Sequence, residues 1–262
     1  MSEHARTYVV TGAASGIGKA TADLLVERGH RVIGVDLHGA DVEVDLGTAS
    51  GRAELVGRVT ELSGGRIDAI VANAGLATGT PATVAVNYFG AVATLEGLRP
   101  LLQNSPEPRA VATASMALLF PPDPVLLDAM LAGDEGAALA RAQTLAESPD
   151  TAGAIYGTTK RALARWIRRT APTEAWAGAH VPLNAVAPGV VETPMTAQFT
   201  ATEQARTAIL DTVPMPLNGI FQPRDAAYLL AWVTSAENAH LCGQVIFIDG
   251  GSDVAIRGDD VW

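Results

Sequence analysis

A single cysteine, Cys242, occurs among the 262 residues, which excludes an intramolecular disulfide. Long apolar runs are also missing. None reaches the ~18 consecutive apolar residues that a membrane-spanning helix needs. No block of Lys and Arg stands out, and 18 basic residues face 28 acidic ones for a formal net charge of −10. Polyanions are bound through basic patches that displace counterions, so nucleic acid is not an expected partner. The N-terminal residues Met1-Ser2-Glu3-His4-Ala5-Arg6 run into Tyr8-Val9-Val10 without the apolar core of a signal peptide, and a soluble, cytoplasmic protein is expected. His4, His30, His38, His180 and His240 are scattered without ligand spacing, so no metal is expected. What is plentiful is apolar side chain: 48% of residues are hydrophobic and the mean hydropathy is +0.20. The 26 glycines and 15 prolines supply turns, yet fall short of the roughly 25–30% typical of disordered chains.

Short β-branched runs alternate with helix-length patterns over the first 115 residues. The sequence predicts strands at 7–11, 31–36, 42–44, 67–72 and 109–115, with helices at 16–28, 49–62 and 80–102. Strands separated by helices imply βαβ units with right-handed crossovers and a parallel sheet. The rhythm breaks at 116–150. Pro121-Pro122-Asp123-Pro124 is followed there by two helical patterns, one with Leu126, Ala129, Met130 and Gly133 on a face, the other with Ala138, Ala142, Leu145 and Ala146. Because a structureless loop of that length is uncommon in a compact domain, a helical hairpin is expected. The alternation resumes with a helix at 153–177, a strand at 181–187, a helix at 223–235 and a strand at 244–248. A single domain over 1–262, with a helical insertion at about 116–150, is the expected organisation.

Thr11-Gly12-Ala13-Ala14-Ser15-Gly16-Ile17-Gly18 lies between the first strand and the first helix. Glycines there permit a tight turn and let a phosphate approach the backbone, where a helix N-terminus offers free N–H groups. Gly18-Lys19 resembles the end of a Walker A loop, but Ala13 and Ala20 occupy its two essential ends, so ATP hydrolysis is not supported. Asp36 ends the second strand, flanked by Val35 and Leu37. A carboxylate there accepts from a ribose diol and repels a 2′-phosphate. Read as a binding residue rather than a solvated strand-end acid, Asp36 favours NAD over NADP.

Tyr156-Gly157-Thr158-Thr159-Lys160 sets a phenol and an ammonium four residues apart, on one face of a helix. A nearby cation lowers a tyrosine pKa from about 10, which suits the hydroxyl to acid–base work. Taken alone, the pattern equally suits a core-boundary tyrosine beside a solvated lysine. It stands, however, in order with the glycine-rich turn, Asn73-Ala74-Gly75 after the fourth strand, Asn87 in the long helix, Ser115 at the end of the fifth strand and Pro188-Gly189 after the sixth. With these motifs over nearly its whole length, the sequence resembles the short-chain dehydrogenase/reductase family. The long insertion and Val86-Asn87-Tyr88-Phe89-Gly90 look like the bacterial 3α-hydroxysteroid dehydrogenase/carbonyl reductase type.

The resemblance implies a Rossmann-type, doubly wound α/β sheet of about seven strands and NAD as cofactor. Tyr156 would exchange a proton with an alcohol or carbonyl oxygen, Ser115 would hydrogen-bond that oxygen, and Lys160 would hold the nicotinamide ribose and lower the tyrosine pKa. Asn87 would hold a relay water. Cofactor contacts are implied at Gly12, Ser15, Gly16, Ile17, Gly18, Asp36 and Leu37, at Asp45 and Leu46 beside the adenine, and at Asn73, Ala74 and Gly75. Further contacts are implied at Pro188, Gly189, Val191 and Thr193 around the nicotinamide. Thr113 and Ser115 share a sheet face; Ser115 lies nearer the carboxyl edge, where such folds bind ligands.

The insertion grows from the catalytic rim and is expected to act as a substrate lid. Leu118, Leu119, Phe120, Met130, Val190 and Met195 would wall an apolar substrate pocket beside Ser115 and Tyr156, or else simply pack the core. Arg161, Arg165, Arg168 and Arg169 read either as a surface for an acidic carrier protein or as a solvated face paired with carboxylates. The expected reaction interconverts a secondary alcohol and a ketone on a hydrophobic, cyclic, steroid-like substrate. A 3-oxoacyl thioester reductase and a non-catalytic NAD-sensing protein are the alternatives. A homo-oligomer is expected, with dimerisation through the 223–235 helix and the 244–248 strand and a tetramer left open.

Overall fold

Side chains alternate across a strand, and β1 (Thr7–Thr11) shows what that does here. Val9 faces one buried layer, while Tyr8 and Val10 face another. In the computed structural model, which describes residues 5–259 and 261, seven strands form one all-parallel sheet. After β1 come β2 (Arg31–Asp36), β3 (Val42–Glu43), β4 (Ala69–Ala72), β5 (Arg109–Thr113), β6 (Leu183–Pro188) and β7 (Val245–Ile248), in the spatial order β3-β2-β1-β4-β5-β6-β7. Val9 sits opposite Ile33 of β2 and Ile70 of β4. The strand order therefore reverses between β1 and β4, and doubly wound sheets open a ligand crevice at that point, beyond the carboxyl ends of the strands. His4 lies outside the described residues.

Helices α1 (Gly16–Glu27) and α10 (Pro223–Val233) cover one face through Leu24, Leu25, Ala227 and Leu230. The other face packs against α2 (Ala49–Ser63), α4 (Ala91–Leu102) and α7 (Pro149–Thr170), with Leu55, Leu95, Leu98 and Ile167 in its core. The expected helix at 80–102 is divided into a short α3 (Pro81–Val84), a π-helical turn over Ala85–Gly90, and α4. The expected helix at 153–177 starts and stops earlier. Ser148 caps the N–H of Asp150, Pro149 occupies the first turn, and Pro172 prevents continuation, so Trp176 is buried in a turn instead.

The insertion forms α5 (Pro124–Ala132) and α6 (Glu135–Ala146), joined through Gly133 at φ +76°. Leu126, Leu127, Met130, Ala138, Ala142 and Leu145 are spent on the core that also holds α7. Arg52 of α2 pairs with Glu135 at 2.7 Å, Arg141 pairs with Asp123 at 2.6 Å, and the Asp123 N–H donates to Thr158 Oγ1 at 2.9 Å. Asp123 also caps α5 by accepting from the Leu126 N–H. The Arg141 guanidinium holds its carboxyl below the usual carboxylate range, against a smaller upward push from burial.

Asp123→Ala removes the cap and orphans Arg141. At neutral pH it is expected to lower stability by about 1–2 kcal/mol in urea denaturation. Because the folded carboxyl is the stronger acid, its contribution is full above the unfolded pKa and is lost as pH falls through the lower folded value. The gap between variant and parent should therefore shrink in acid.

Candidate active site

The chain leaves β1 through Gly12, at φ +71°, and enters α1 at Gly16, at φ +53°. Both values suit glycine. A Cβ on Gly18 would collide with the Gly12 carbonyl oxygen, so Gly18 serves the close packing of turn and helix and does not line the cleft. The Thr11 hydroxyl accepts from the N–H groups of Asn73 and Ala74 at 2.9 and 3.0 Å, binding the glycine turn to the segment after β4. The sequence reading passed over Thr11; the hydroxyl that opens the turn was the available signal.

A cleft of about 550 Å³ lies above the switch point. Of the proposed cofactor positions, Gly12, Ser15, Gly16, Ile17, Asp36, Leu37, Asp45, Leu46, Asn73, Ala74 and Gly75 line it from one side. Tyr156, Lys160, Pro188, Gly189, Val191 and Thr193 line it from the other. Asp36 is fixed by two backbone donors, the Ala14 N–H at 2.9 Å and its neighbour Leu37 N–H at 2.7 Å. Asp45 Oδ1 accepts from the Gly47 N–H at 2.8 Å. Among the described residues, Lys160 is the one basic side chain lining the cleft.

The reacting end is built on α7. Lys160 is buried and donates to the Thr113 carbonyl at 2.8 Å, and burial pulls its pKa down to about 8. Its Nζ lies 5.7 Å from the centre of the Tyr156 ring. Burial pushes the Tyr156 phenol upward, and a hydrogen bond with the Ser115 side chain works against that push. The two hydroxyls near the end of β5 have different surroundings. Thr113 Oγ1 donates to Asn73 Oδ1 at 3.0 Å, while Ser115 is the one whose hydroxyl favours the Tyr156 phenolate. Asn87 is buried behind the cleft. Its Oδ1 accepts from the Leu76 N–H at 2.7 Å, and its Nδ2 donates to the Leu76 carbonyl and to Thr159 Oγ1. Asn87 thus pins the 73–76 segment, and a Cβ on Gly75 would touch both Asn87 Oδ1 and Lys160 Nζ.

On the substrate side several of the expected residues sit away from the cleft. Among the described residues, none between 116 and 150 lines it, and the insertion packs on the outside of α7. The 3₁₀ turn Met116–Leu119 carries Leu118 away from the cleft to a groove beside Arg161 and Arg165. Met130 is fully buried in the main core. Val190 packs with Met116, Val213 and Met215, and its N–H meets Met215 Sδ at 3.3 Å; Leu119 and Phe120 lean on that cluster. Of the proposed substrate contacts, Ser115, Tyr156 and Met195 line the cleft. Met195 belongs to a short turn, Pro194–Thr196, leading into α8 (Ala197–Thr200) and α9 (Glu203–Thr212). Apart from Met195, this segment carries no signal in the sequence: its first two helical pieces span only three and four residues.

The arrangement suits a nicotinamide dinucleotide. The glycine turn and the N-terminus of α1 face the cleft, where N–H groups favour a pyrophosphate. A Cβ on Gly16 would come within 3.3 Å of Thr193 Cγ2 and narrow the passage between the two walls. Comparison with known proteins agrees. The short chain dehydrogenase family profile matches residues 6–123, and the enoyl-(acyl carrier protein) reductase profile matches 125–253. The chain is 34% identical to the 3-alpha-hydroxysteroid dehydrogenase/carbonyl reductase of Comamonas testosteroni, over 95% of this chain and 97% of that protein.

The chain belongs to the short-chain dehydrogenase/reductase family.

It is an oxidoreductase of that type, and the family uses NAD(P). The crystal structure of the 3-alpha-hydroxysteroid dehydrogenase from Pseudomonas sp. B-0831 complexed with NADH superposes with a TM-score of 0.85 at 38% identity, covering 97% of this chain and 99% of that one. A 3-oxoacyl-(acyl-carrier-protein) reductase of Thermotoga maritima is 28% identical over 94% of this chain and 97% of its own length. Among the described residues, no helix is long and apolar enough to cross a membrane, and no group of three or more His, Cys, Asp or Glu is placed to hold a metal.

In the cofactor-free protein, the buried Lys160 gives a pH signature. Its folded pKa of about 8 lies below the ordinary 10.5, so between these values the unfolded chain holds a proton that the folded one has released. Stability therefore rises with pH across that window. From pH 8 to 10, the parent should gain on the order of 2–3 kcal/mol relative to Lys160→Met in chemical denaturation.

Proposed function

We propose that this short-chain dehydrogenase is an NAD(H)-dependent enzyme that interconverts a secondary alcohol and a ketone on a hydrophobic, cyclic, steroid-like substrate. The observation that carries this reading is the convergence of Ser115, Tyr156 and Lys160 at one end of a cleft whose other end carries Asp36 and no basic side chain among the described residues. A 2′-phosphate on the ribose would meet the Asp36 carboxylate uncompensated. Both 3-alpha-hydroxysteroid dehydrogenase relatives support the substrate class, and the NADH complex of one supports the cofactor. The 3-oxoacyl-(acyl-carrier-protein) reductase relative keeps thioester reduction as the second reading.

Gly12, Ser15 and Gly16 would hold the pyrophosphate, Asp36 the adenosine ribose, Asp45 and Leu46 the adenine side, and Lys160 the nicotinamide ribose. Thr193 and the Val191 backbone would sit at the carboxamide. When bound, the nicotinamide supplies the hydride acceptor or donor. In oxidation, Tyr156 as phenolate takes the hydroxyl proton while Ser115 donates to the same oxygen. In reduction, Tyr156 returns that proton. Burial works against the phenolate; the Ser115 hydroxyl opposes that push, and the positive charge of Lys160 would act in the same direction. Met195 would meet the apolar body of the substrate.

Turnover of a 3α-hydroxysteroid, a cyclohexanol and a 3-oxoacyl thioester, each with both cofactors, tests the reading. The expected result is kcat/KM at least about tenfold higher with NAD+ than with NADP+ on the cyclic alcohols; preference for NADPH with the thioester would overturn it. Tyr156→Phe should reduce kcat by about 10²–10⁴-fold while the NADH affinity stays within about threefold.

The subunit contact proposed for this protein is a homodimer through β7 and α10. Strand β7 pairs only with β6 among the described residues, and Tyr228 and Trp232, one turn apart on α10, are 48% and 42% exposed. An unpaired edge beside exposed aromatics is a surface suited to a second copy. Light scattering should give twice the monomer mass for the parent and the monomer mass for Trp232→Glu.

A further inference from the structure

The arginine that follows Lys160 is not the solvated side chain its spacing suggests. Arg161 is partly buried, and its guanidinium reaches back over the catalytic helix to the turn after β5. Its Nε donates to the Leu118 carbonyl at 2.7 Å, and its Nη2 to the Leu119 carbonyl at 3.3 Å. Among the described residues it makes no ion pair, although Asp253 is close enough to the same groove to pair with Arg257. Burial lowers its pKa first, and the neighbouring Arg165 and Arg257 add to that effect. A guanidinium set among like charges, with no ion pair among the described residues and with hydrogen bonds to two main-chain carbonyls, is a strut.

The turn it grips begins at the catalytic serine. Ser115 is the N-cap of Met116–Leu119: its hydroxyl accepts from the Ala117 N–H at 3.2 Å, its carbonyl accepts from the Leu118 N–H at 3.1 Å, and its side chain is near enough to Tyr156 to favour the phenolate. Helix α7 meets this turn at three places. Tyr156 meets Ser115, Arg161 meets the two carbonyls, and Gly157 lies so close that a Cβ there would be 2.8 Å from the Ala117 carbonyl oxygen. A four-residue 3₁₀ turn is too short to set its own attitude, so its orientation depends on these contacts.

We propose that Arg161 is a positioning residue that fixes the Met116–Leu119 turn to the catalytic helix and thereby holds the Ser115 hydroxyl against Tyr156. This rests on the assignment of Ser115 and Tyr156 as the reacting pair. Arg161 touches neither substrate nor cofactor: it lies outside the cleft lining, and its influence passes through the turn. The catalytic helix thus carries its own alignment device one residue beyond the lysine.

The test compares parent, Arg161→Ala, Arg161→Lys, Ser115→Ala and the Ser115→Ala/Arg161→Ala double variant in NAD+-linked oxidation of androsterone, a 3α-hydroxysteroid. It adds amide hydrogen exchange without substrate. Arg161→Ala should lower kcat about tenfold or more, with KM and NADH affinity within about twofold, and Arg161→Lys should recover part of the loss. In the Ser115→Ala background the same change should cost less than about twofold, because its route is already cut. Amides of residues 115–120 should exchange about tenfold faster in Arg161→Ala, with those of 11–18 unchanged. An equal loss of kcat in both backgrounds, a loss confined to KM or NADH affinity, or unchanged exchange at 115–120 would overturn the proposal. If Ser115→Ala and Tyr156→Phe turn over as the parent does, the assignment of the reacting pair fails, whatever Arg161 does. If androsterone is not oxidised, the exchange comparison decides.

Discussion

One ammonium taken out of water constrains the centre of this protein. Lys160 is buried, its one hydrogen bond among the described residues goes to the Thr113 carbonyl, and burial depresses its pKa. Isolated buried charge is tolerated when neighbouring dipoles are fixed in advance. The neighbours here are fixed with care. Asn87 uses three hydrogen bonds to hold Leu76 and Thr159, Thr113 is tied to Asn73, and Asn73 is tied in turn to Thr11 at the end of β1. The glycine turn, the segment after β4, the end of β5 and the catalytic helix are thereby joined around one charge. A dinucleotide lying across the sheet would touch all four.

The elements easiest to read from sequence were those with a strong period and a local stop signal. β1, α1 and β2 match because their apolar positions repeat and Gly29 ends the helix turn. Much of the cleft lining was legible for a related reason, since glycines and a strand-end acid state their backbone needs in their identity. Less legible was whatever depends on which way a short turn points. Leu118 looks like a pocket wall by composition, but a 3₁₀ turn rotates it to the far side. Met130 and the rest of the insertion were apolar enough to line a pocket and equally apolar enough to pack a core. Packing won, because α7 offered a long apolar face already in place. The division of 80–102 by a π-helical turn is a register choice that periodicity over so few residues does not reveal.

The insertion then takes on a different meaning from its length. Helices α5 and α6 add a layer behind Tyr156 and Lys160, bolted to α2 through Arg52–Glu135 and to α7 through Asp123 and Thr158. The surface it covers is the outer face of α7.

Two regions around the cleft differ in how firmly they are held. Buried hydrogen bonds run around Lys160, and glycines such as Gly157 and Gly75 set close approaches to it and to α7. The segment Pro194–Thr212 is shallowly rooted: α9 has no buried residue, α8 has only Thr200, and the anchorage comes from Ile209, Leu210 and the Glu192–Arg206–Gln222 cluster. Replacements along that segment would therefore reshape the cleft beside Met195 while leaving the buried hydrogen bonds around Lys160 in place.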